Sequence, residues 1–332
     1  MNNIFYDRKV TYKNGNYIVY SAGGSLIKRP FRTNEELISD FPDSIDLKIS
    51  NRCPWKCSFC HESSTPEGKI ADISKVKEVL SELPEGVPIE IAIGGGDVLE
   101  TPKETKEIIN FLNKRGHEPR ITVNVQDIFC LTEKGRKIIE SVGGLGISLT
   151  SLPPLKKSKY GLIDEEFSLS ATLFDENLQD WTRRGPFPNT KIIIHIIAGV
   201  FPVSQLDNLF KYSEFPILIL GYKQWGRAKN TALPESLGEF ESAIKQQICK
   251  QRRKDYSRFY LSKVIGFDNL ALEQLDIKSS LTDEEWGVFY MGDEGKHSMY
   301  IDAVEGKFAR TSRSEERVSW DDTGLIEYFK SL

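Results

Sequence analysis

Ser44-Ile-Asp-Leu-Lys-Ile-Ser50 runs almost directly into Cys53-Pro-Trp-Lys-Cys57-Ser-Phe-Cys60. The first segment alternates polar and apolar residues at period two, the pattern of a β-strand with one covered face. The second spaces its cysteines as C-x3-C-x2-C, so three thiols leave the end of one strand within a single short loop. Three soft donors so close together can converge on one inorganic centre, and a [4Fe-4S] cubane held by three cysteines keeps its fourth iron free of protein ligands. His61 follows at once and opens a second reading, a Cys3His zinc site of thiolates and imidazole in tetrahedral array. Zinc ligands more often come as two separated pairs, and the sequence has no second C-x2-C pair. Disulfide pairing fits less well, because the 332 residues carry five cysteines, an odd count, and the thiols are expected to stay reduced.

Outward from that loop the chain repeats strand then helix, the sequence sign of a parallel sheet. Strands are expected at Ser44–Ser50, Pro88–Ile93, Arg120–Val125, Leu145–Thr150, Lys191–Ala198 and Pro216–Gly221. Helices are expected between them. Asp72 to Leu83 has apolar residues at 73, 76, 79, 80 and 83, one helix face. Pro102–Arg115 starts with a proline suited to a first turn, and Leu131–Ser141, Val203–Tyr212 and Pro234–Gln251 complete the set. Residues 151–190 contain Pro153-Pro154 and an Arg-Gly-Pro-Phe-Pro turn signal and read as a long loop with room for one helix. The fold class is therefore α/β, a partial (β/α)6 version of the eight-unit barrel, in which ligands sit at the carboxyl ends of the strands. The cysteine loop leaves the first strand at that end.

Three divisions follow. Residues 1–43 form an amino-terminal extension, a β-hairpin around Asn14-Gly15-Asn16, where Asn-Gly supplies the positive φ of a tight turn. Residues 44–252 are the partial barrel. Residues 253–332 are a small α+β extension, with strands expected over Phe289–Asp302 and Gly306–Thr311 and a final helix from Gly324.

Several residues at strand ends are candidates for ligand contact. Gly94-Gly95-Gly96-Asp97 follows the second strand; glycines permit close backbone approach and a carboxylate can accept from an ammonium group, the plainer reading being a turn. Asn124 and Gln126 close the third strand and Ser148 lies in the fourth, where such residues also serve as turn-formers. His195 in the apolar fifth strand reads as a satisfied core residue before a catalyst. Gly226-Arg227-Ala228 follows the sixth strand, and Phe59, Trp55 and Trp225 offer apolar faces.

The cysteine spacing, with Phe59 just before Cys60, resembles the signature of the radical S-adenosylmethionine (SAM) superfamily. The resemblance implies one cluster held by Cys53, Cys57 and Cys60, with the open iron chelating the amino and carboxylate groups of SAM. An electron from a flavodoxin- or ferredoxin-like donor then cleaves the sulfonium, and the 5′-deoxyadenosyl radical abstracts a hydrogen atom from substrate. It also implies SAM contacts at Phe59, Gly95, Gly96, Asp97, Asn124, Ser148, Gly226 and Arg227, although Asp97 and Val98 stand where the family pattern has Glu and Pro. The Gly-Arg-Ala edge resembles that of members acting on peptides and proteins, where it packs against adenine. Met-Gly-Asp at 291–293, Tyr-Ile-Asp at 300–302 and Gly-Lys-Phe at 306–308 resemble the SPASM and twitch extensions. Met291 and Thr311 stand nearest to where that pattern has cysteines, and Cys130 and Cys249 are too few for a second cluster. A buried, inert Cys130 is expected rather than a hydrogen-atom donor.

Bulk composition bounds the partners. The chain is 39% hydrophobic and 28% charged with a formal charge of -4, which makes no global case for nucleic acid or anionic membrane. The basic run Lys250 to Lys254 with Arg258 reads as a solvated helix end; its alternative is a contact to a nucleotide or nucleic-acid substrate. Apolar runs such as Ile192–Val200 fall far short of the ~20 residues that span a bilayer. The start Met-Asn-Asn-Ile-Phe lacks the basic and apolar regions of a secretory signal, so a cytoplasmic location is expected. Peptide, protein or small-molecule substrates and a zinc-stabilised, non-enzymatic binding module are the readings that remain.

Overall fold

The computed structural model describes residues 11–22, 25–32, 35–151, 190–213, 215–253, 264–290 and 292–332. Their architecture is a three-stranded antiparallel sheet and a ten-stranded, mostly parallel sheet with helices. The long loop expected at 151–190 lies almost wholly outside the described residues.

The large sheet is built on β4 (Ser44–Ser50), β5 (Glu90–Gly95), β6 (Glu118–Asn124), β7 (Gly144–Leu149), β8 (Lys191–Ile197) and β9 (Ile217–Leu220), each parallel to the next. These are the six strands that the sequence predicts. The sheet extends further at both edges. β10 (Ile265–Phe267) pairs parallel with β9, and β11 (Ser298–Asp302) pairs parallel with β4, placing Tyr300 beside Asp46 and Asp302 beside Lys48. β12 (Lys307–Ala309) and β13 (Val318–Ser319) continue from β11 antiparallel. The expected β11–β12 hairpin is present, but its first strand joins the barrel sheet, and the Phe289 end of the expected strand belongs to a helix, Asp283–Phe289.

Alternation along each strand sorts the side chains onto two faces. Ile45, Leu47 and Ile49 of β4, Ile91 and Ile93 of β5, and Ile121 and Val123 of β6 are buried in the apolar core, with Val76, Leu80, Ile108 and Leu112 of the helices. On the helix Ile73–Leu80, Asp72 accepts from the amides of Ser74 and Lys75 and sets the first turn. The opposite face carries Asp46 and Lys48, Arg120 and Thr122, Gly144 and Gly146, and His195.

That face curls inward. In a flat sheet β4 and β9 would lie about 24 Å apart, at ~4.8 Å per strand. The loops leaving the carboxyl ends of β4 and β9 meet: the amide of Arg227, seven residues past β9, donates to the carbonyl of Cys60, ten residues past β4, at 3.0 Å. The mostly parallel sheet is that of a partial barrel, with polar side chains on its inner face.

The amino-terminal segment forms β1 (Thr11–Asn14), β2 (Tyr17–Ala22) and β3 (Ser25–Pro30), one strand more than the expected hairpin. Gly15 has φ +54° at the predicted turn. Asp43, just before β4, fastens this sheet to the barrel: Asn14 Nδ2 and Tyr17 Oη donate to it at 2.7 and 2.6 Å, and Lys28 Nζ lies at 2.8 Å. Among the described residues no helix is long and apolar enough to cross a membrane.

Candidate functional site

The loop after β4 is pinned at its root and along its length. Asn51 N donates to Lys69 O, Thr65 N to Asn51 O and Cys53 N to Thr65 O, at 2.8 to 3.0 Å, so the outgoing and returning limbs pair. Lys56 and Ser63 hold φ of +50° and +52°, left-handed backbone that ordinary residues adopt at some cost. Cys53, Cys57 and Cys60 are all free thiols and half-buried. Burial pushes the Cys53 and Cys57 thiols up.

Arg227 clamps the same loop from across the barrel. Its Nε donates to Cys57 O at 2.9 Å, and its Nη1 to Ser64 O at 2.6 Å. Gly226 has φ +56°, and a Cβ there would lie 2.3 Å from His61 O and 2.8 Å from Cys60 O. The Gly-Arg-Ala edge thus seats the cysteine loop. The guanidinium, among the SAM contacts that the resemblance implies, donates to the Cys57 and Ser64 backbone carbonyls.

The glycine loop after β5 abuts the root of the cysteine loop. A Cβ on Gly95, φ +108°, would lie 2.3 Å from Ser50 O, and one on Gly96 would lie 1.9 Å from Arg52 O. Gly96 N and Asp97 N donate to Ser50 O and Arg52 O, each at 2.7 Å. The close approach required at Gly95 and Gly96 is to the chain itself, whereas Gly94 faces open space. Asp97 is buried, its Oδ1 accepting from Leu99 N at 2.9 Å; burial pushes its carboxyl up, against the Leu99 amide and the Trp55 indole, which hold it down. Asp127 is pushed up to about 7 by burial and by the charge of Asp97.

Across the inner face, Asn124, Ser148 and His195 fall in one row, each paired with the next through β6, β7 and β8. Asn124 also caps the helix Val125–Phe129, its Oδ1 accepting from Gln126 N at 2.9 Å. His195 lies over Gly146, where a Cβ would come within 2.4 Å of its ring, and burial pushes its pKa down to about 4. Phe59 is half-buried within the loop.

Cys130 is exposed, which corrects the expectation of a buried thiol; it caps the carboxyl end of the short helix after β6, between the core residues Ile128 and Leu131. Cys249 is exposed as well. Met291, Lys254 and Arg258 lie outside the described residues. Lys250 is exposed near the end of its helix, 3.5 Å from Asp207.

Sequence reasoning misses a charged group beside the loop. Lys48 Nζ lies 2.9 Å from Glu62 Oε2 and 3.0 Å from Asp302 Oδ2, and Arg317 Nη1 lies 2.9 Å from that same Asp302 oxygen. The signal was a lysine on the polar face of the strand that leads into the cysteine loop.

The donor set is three unpaired thiols in one pinned loop, which fits the three-cysteine ligation of an iron-sulfur cubane. Among the described residues no three His, Cys, Asp or Glu side chains converge on a single-ion site. The His61 ring sits against Glu62, with Nε2 3.4 Å from Oε1.

Residues 47–202 match the sequence pattern of the radical SAM superfamily. That segment, a little under half of the chain, carries the radical SAM pattern. Comparison with curated proteins returned no match. Among solved structures, the chain is similar to Streptococcus suis SuiB bound to the precursor peptide SuiA, with a TM-score of 0.53 and 14% identity over 88% of this chain and 65% of that one. SuiB bound to S-adenosylmethionine gives a TM-score of 0.50 at 14% identity over 88% of this chain and 66% of that one. The likeness is one of fold, and the chain spans slightly less than two thirds of the length of either structure.

Proposed function

We propose that the protein is a radical SAM enzyme in which Cys53, Cys57 and Cys60 hold one [4Fe-4S] cluster, and that it abstracts a hydrogen atom from a peptide or protein substrate. The observation that carries this reading is the pinned loop itself: three free thiols at the carboxyl end of β4 within a radical SAM domain. When bound, the cluster and S-adenosylmethionine supply reductive cleavage of a sulfonium to a 5′-deoxyadenosyl radical.

The chain's own part is to bind and orient. Arg227 and the glycine loop hold the loop backbone before any metal arrives, which reduces the ordering cost of loading. Because burial raises Cys53 and Cys57, loading must draw protons from both thiols, and cluster assembly weakens as pH falls. Asp97 is a buried carboxyl beside the loop whose raised pKa an incoming ammonium group would relieve. Ser148 and Asn124 offer polar groups to a ribose or carboxylate, and Phe59 an apolar face to a base. The exposed Pro54-Trp55-Lys56 tip of the loop gives a flavodoxin- or ferredoxin-like electron donor access.

Two features support a peptide substrate: the Gly-Arg-Ala edge after β9, and a fold like that of SuiB, which has been seen with its precursor peptide. Metal analysis after anaerobic reconstitution with iron and sulfide tests the cluster. We expect about four irons per chain, lost in Cys57→Ala; a colourless protein retaining a single zinc would overturn the reading.

A further inference from the structure

Beside the cysteine loop lies a cavity of about 280 Å³. His61 and Glu62 of the loop line it, as do Gly226 beyond β9, Ser314 and Arg317 of the carboxyl-terminal extension, and Lys48. Glu62 stands two residues after Cys60. Lys48 holds one of its oxygens, and Tyr300 of β11 donates to the other at 3.1 Å. Lys48 is held in turn by Asp302 of β11, and Asp302 by Arg317. The side chains of Lys48, Glu62 and Asp302 are only 7%, 10% and 2% exposed.

Removing these charges from water is costly, and an apolar layer of the same volume would dock β11 on β4 at least as well. An apolar layer could not fix a carboxylate at the wall of a cavity. Lys48 and Tyr300 take one Glu62 oxygen each, so the side chain has one defined orientation, and the returning limb of the cysteine loop is tied to the extension through it.

We infer that Asp302 and Tyr300 of the carboxyl-terminal extension are positioning residues for the cofactor site, acting through Lys48 and Glu62 on the loop against which S-adenosylmethionine binds. The inference rests on the functional reading above. It places the extension in the binding machinery, although the extension carries no cysteine.

The test is equilibrium dialysis of S-adenosylmethionine against reconstituted wild type, Tyr300→Phe, Asp302→Asn and the neutral set Lys48→Met/Glu62→Gln/Asp302→Asn, with iron content and melting temperature measured on each. We expect wild-type iron in the single variants and a dissociation constant weakened about tenfold, the scale of one lost hydrogen bond to a charged group. The neutral set should melt near the wild type, because Lys48, Glu62 and Asp302 lose their charges together and Arg317, a fifth exposed, keeps its bonds to the Ser312 and Ser314 carbonyls, yet bind as weakly as the single variants. Unchanged affinity in the single variants, or affinity restored in the neutral set, overturns the inference and leaves the functional reading intact. Should Asp302→Asn fail to fold, Tyr300→Phe alone decides. A wild type that loads iron and does not bind S-adenosylmethionine overturns both.

Discussion

Arg227 donates from Nε to the carbonyl of Cys57 at 2.9 Å, joining residues 170 positions apart. A side chain leaving one edge of the barrel strands thereby fixes the backbone between two candidate cluster ligands at the other. Replacement by lysine keeps the charge and loses the planar fork that reaches Cys57 and Ser64 together. Each such charge-assisted hydrogen bond contributes about 1.5–3 kcal/mol net. We expect Arg227→Lys to melt a few degrees lower and to retain less iron after reconstitution, and Arg227→Ala to retain still less. Wild-type iron in Arg227→Ala would contradict the clamp.

The glycine loop makes a sharper contrast. Gly96→Ala drives a Cβ to within 1.9 Å of Arg52 O, whereas Gly94→Ala meets nothing within 4 Å. Overpacking against backbone costs roughly 1–3 kcal/mol. Thermal denaturation should show Gly96→Ala clearly destabilised and Gly94→Ala close to wild type; equal effects would refute the packing role assigned to Gly96.

Asp43 joins the amino-terminal sheet to the barrel. Asp43→Ala leaves Lys28 without its 2.8 Å partner and removes the acceptor of Tyr17 and Asn14. Loss of one member of a buried pair costs roughly 3–5 kcal/mol. Hydrogen exchange should report faster exchange at the β1 and β2 amides, with β5 and β6 protected as before; unchanged protection in β1 and β2 would contradict the anchoring role.

His195 gives the protein an acid limit. Its pKa falls from 6.5 in the free side chain to about 4 in the fold. Between those values the unfolded chain takes up a proton that the folded chain refuses, so stability falls as pH is lowered through that window and is fully present above it. The full shift corresponds to about 3 kcal/mol. His195→Gln should make the stability profile between pH 6.5 and 4 less steep, the remaining slope coming from groups such as His297, which burial also pushes down to about 4; an unchanged slope would show that His195 does not contribute to it.

The barrel strands were legible because each is a short apolar run followed by a helix with one apolar face, and the cysteine triad was legible because its three thiols are close in sequence. Contacts between distant segments were not. Nothing in Ser298–Asp302 marks it as a parallel partner of β4, since that pairing depends on a register between segments 254 residues apart. The same distance hid Lys48, Asp302 and Glu62, three ordinary surface residue types until the fold buries them together. The glycines were rightly singled out as sites of close approach, but sequence could not show that Gly95 and Gly96 approach the cysteine loop itself.

The central claim is that the cysteine loop supports reductive cleavage of S-adenosylmethionine. The direct measurement is 5′-deoxyadenosine formed under strict anaerobiosis by the reconstituted protein with dithionite and S-adenosylmethionine, beside a Cys53→Ala/Cys57→Ala/Cys60→Ala control. Production well above the control is the predicted result; equal amounts from both proteins, with iron bound to the wild type, would contradict it.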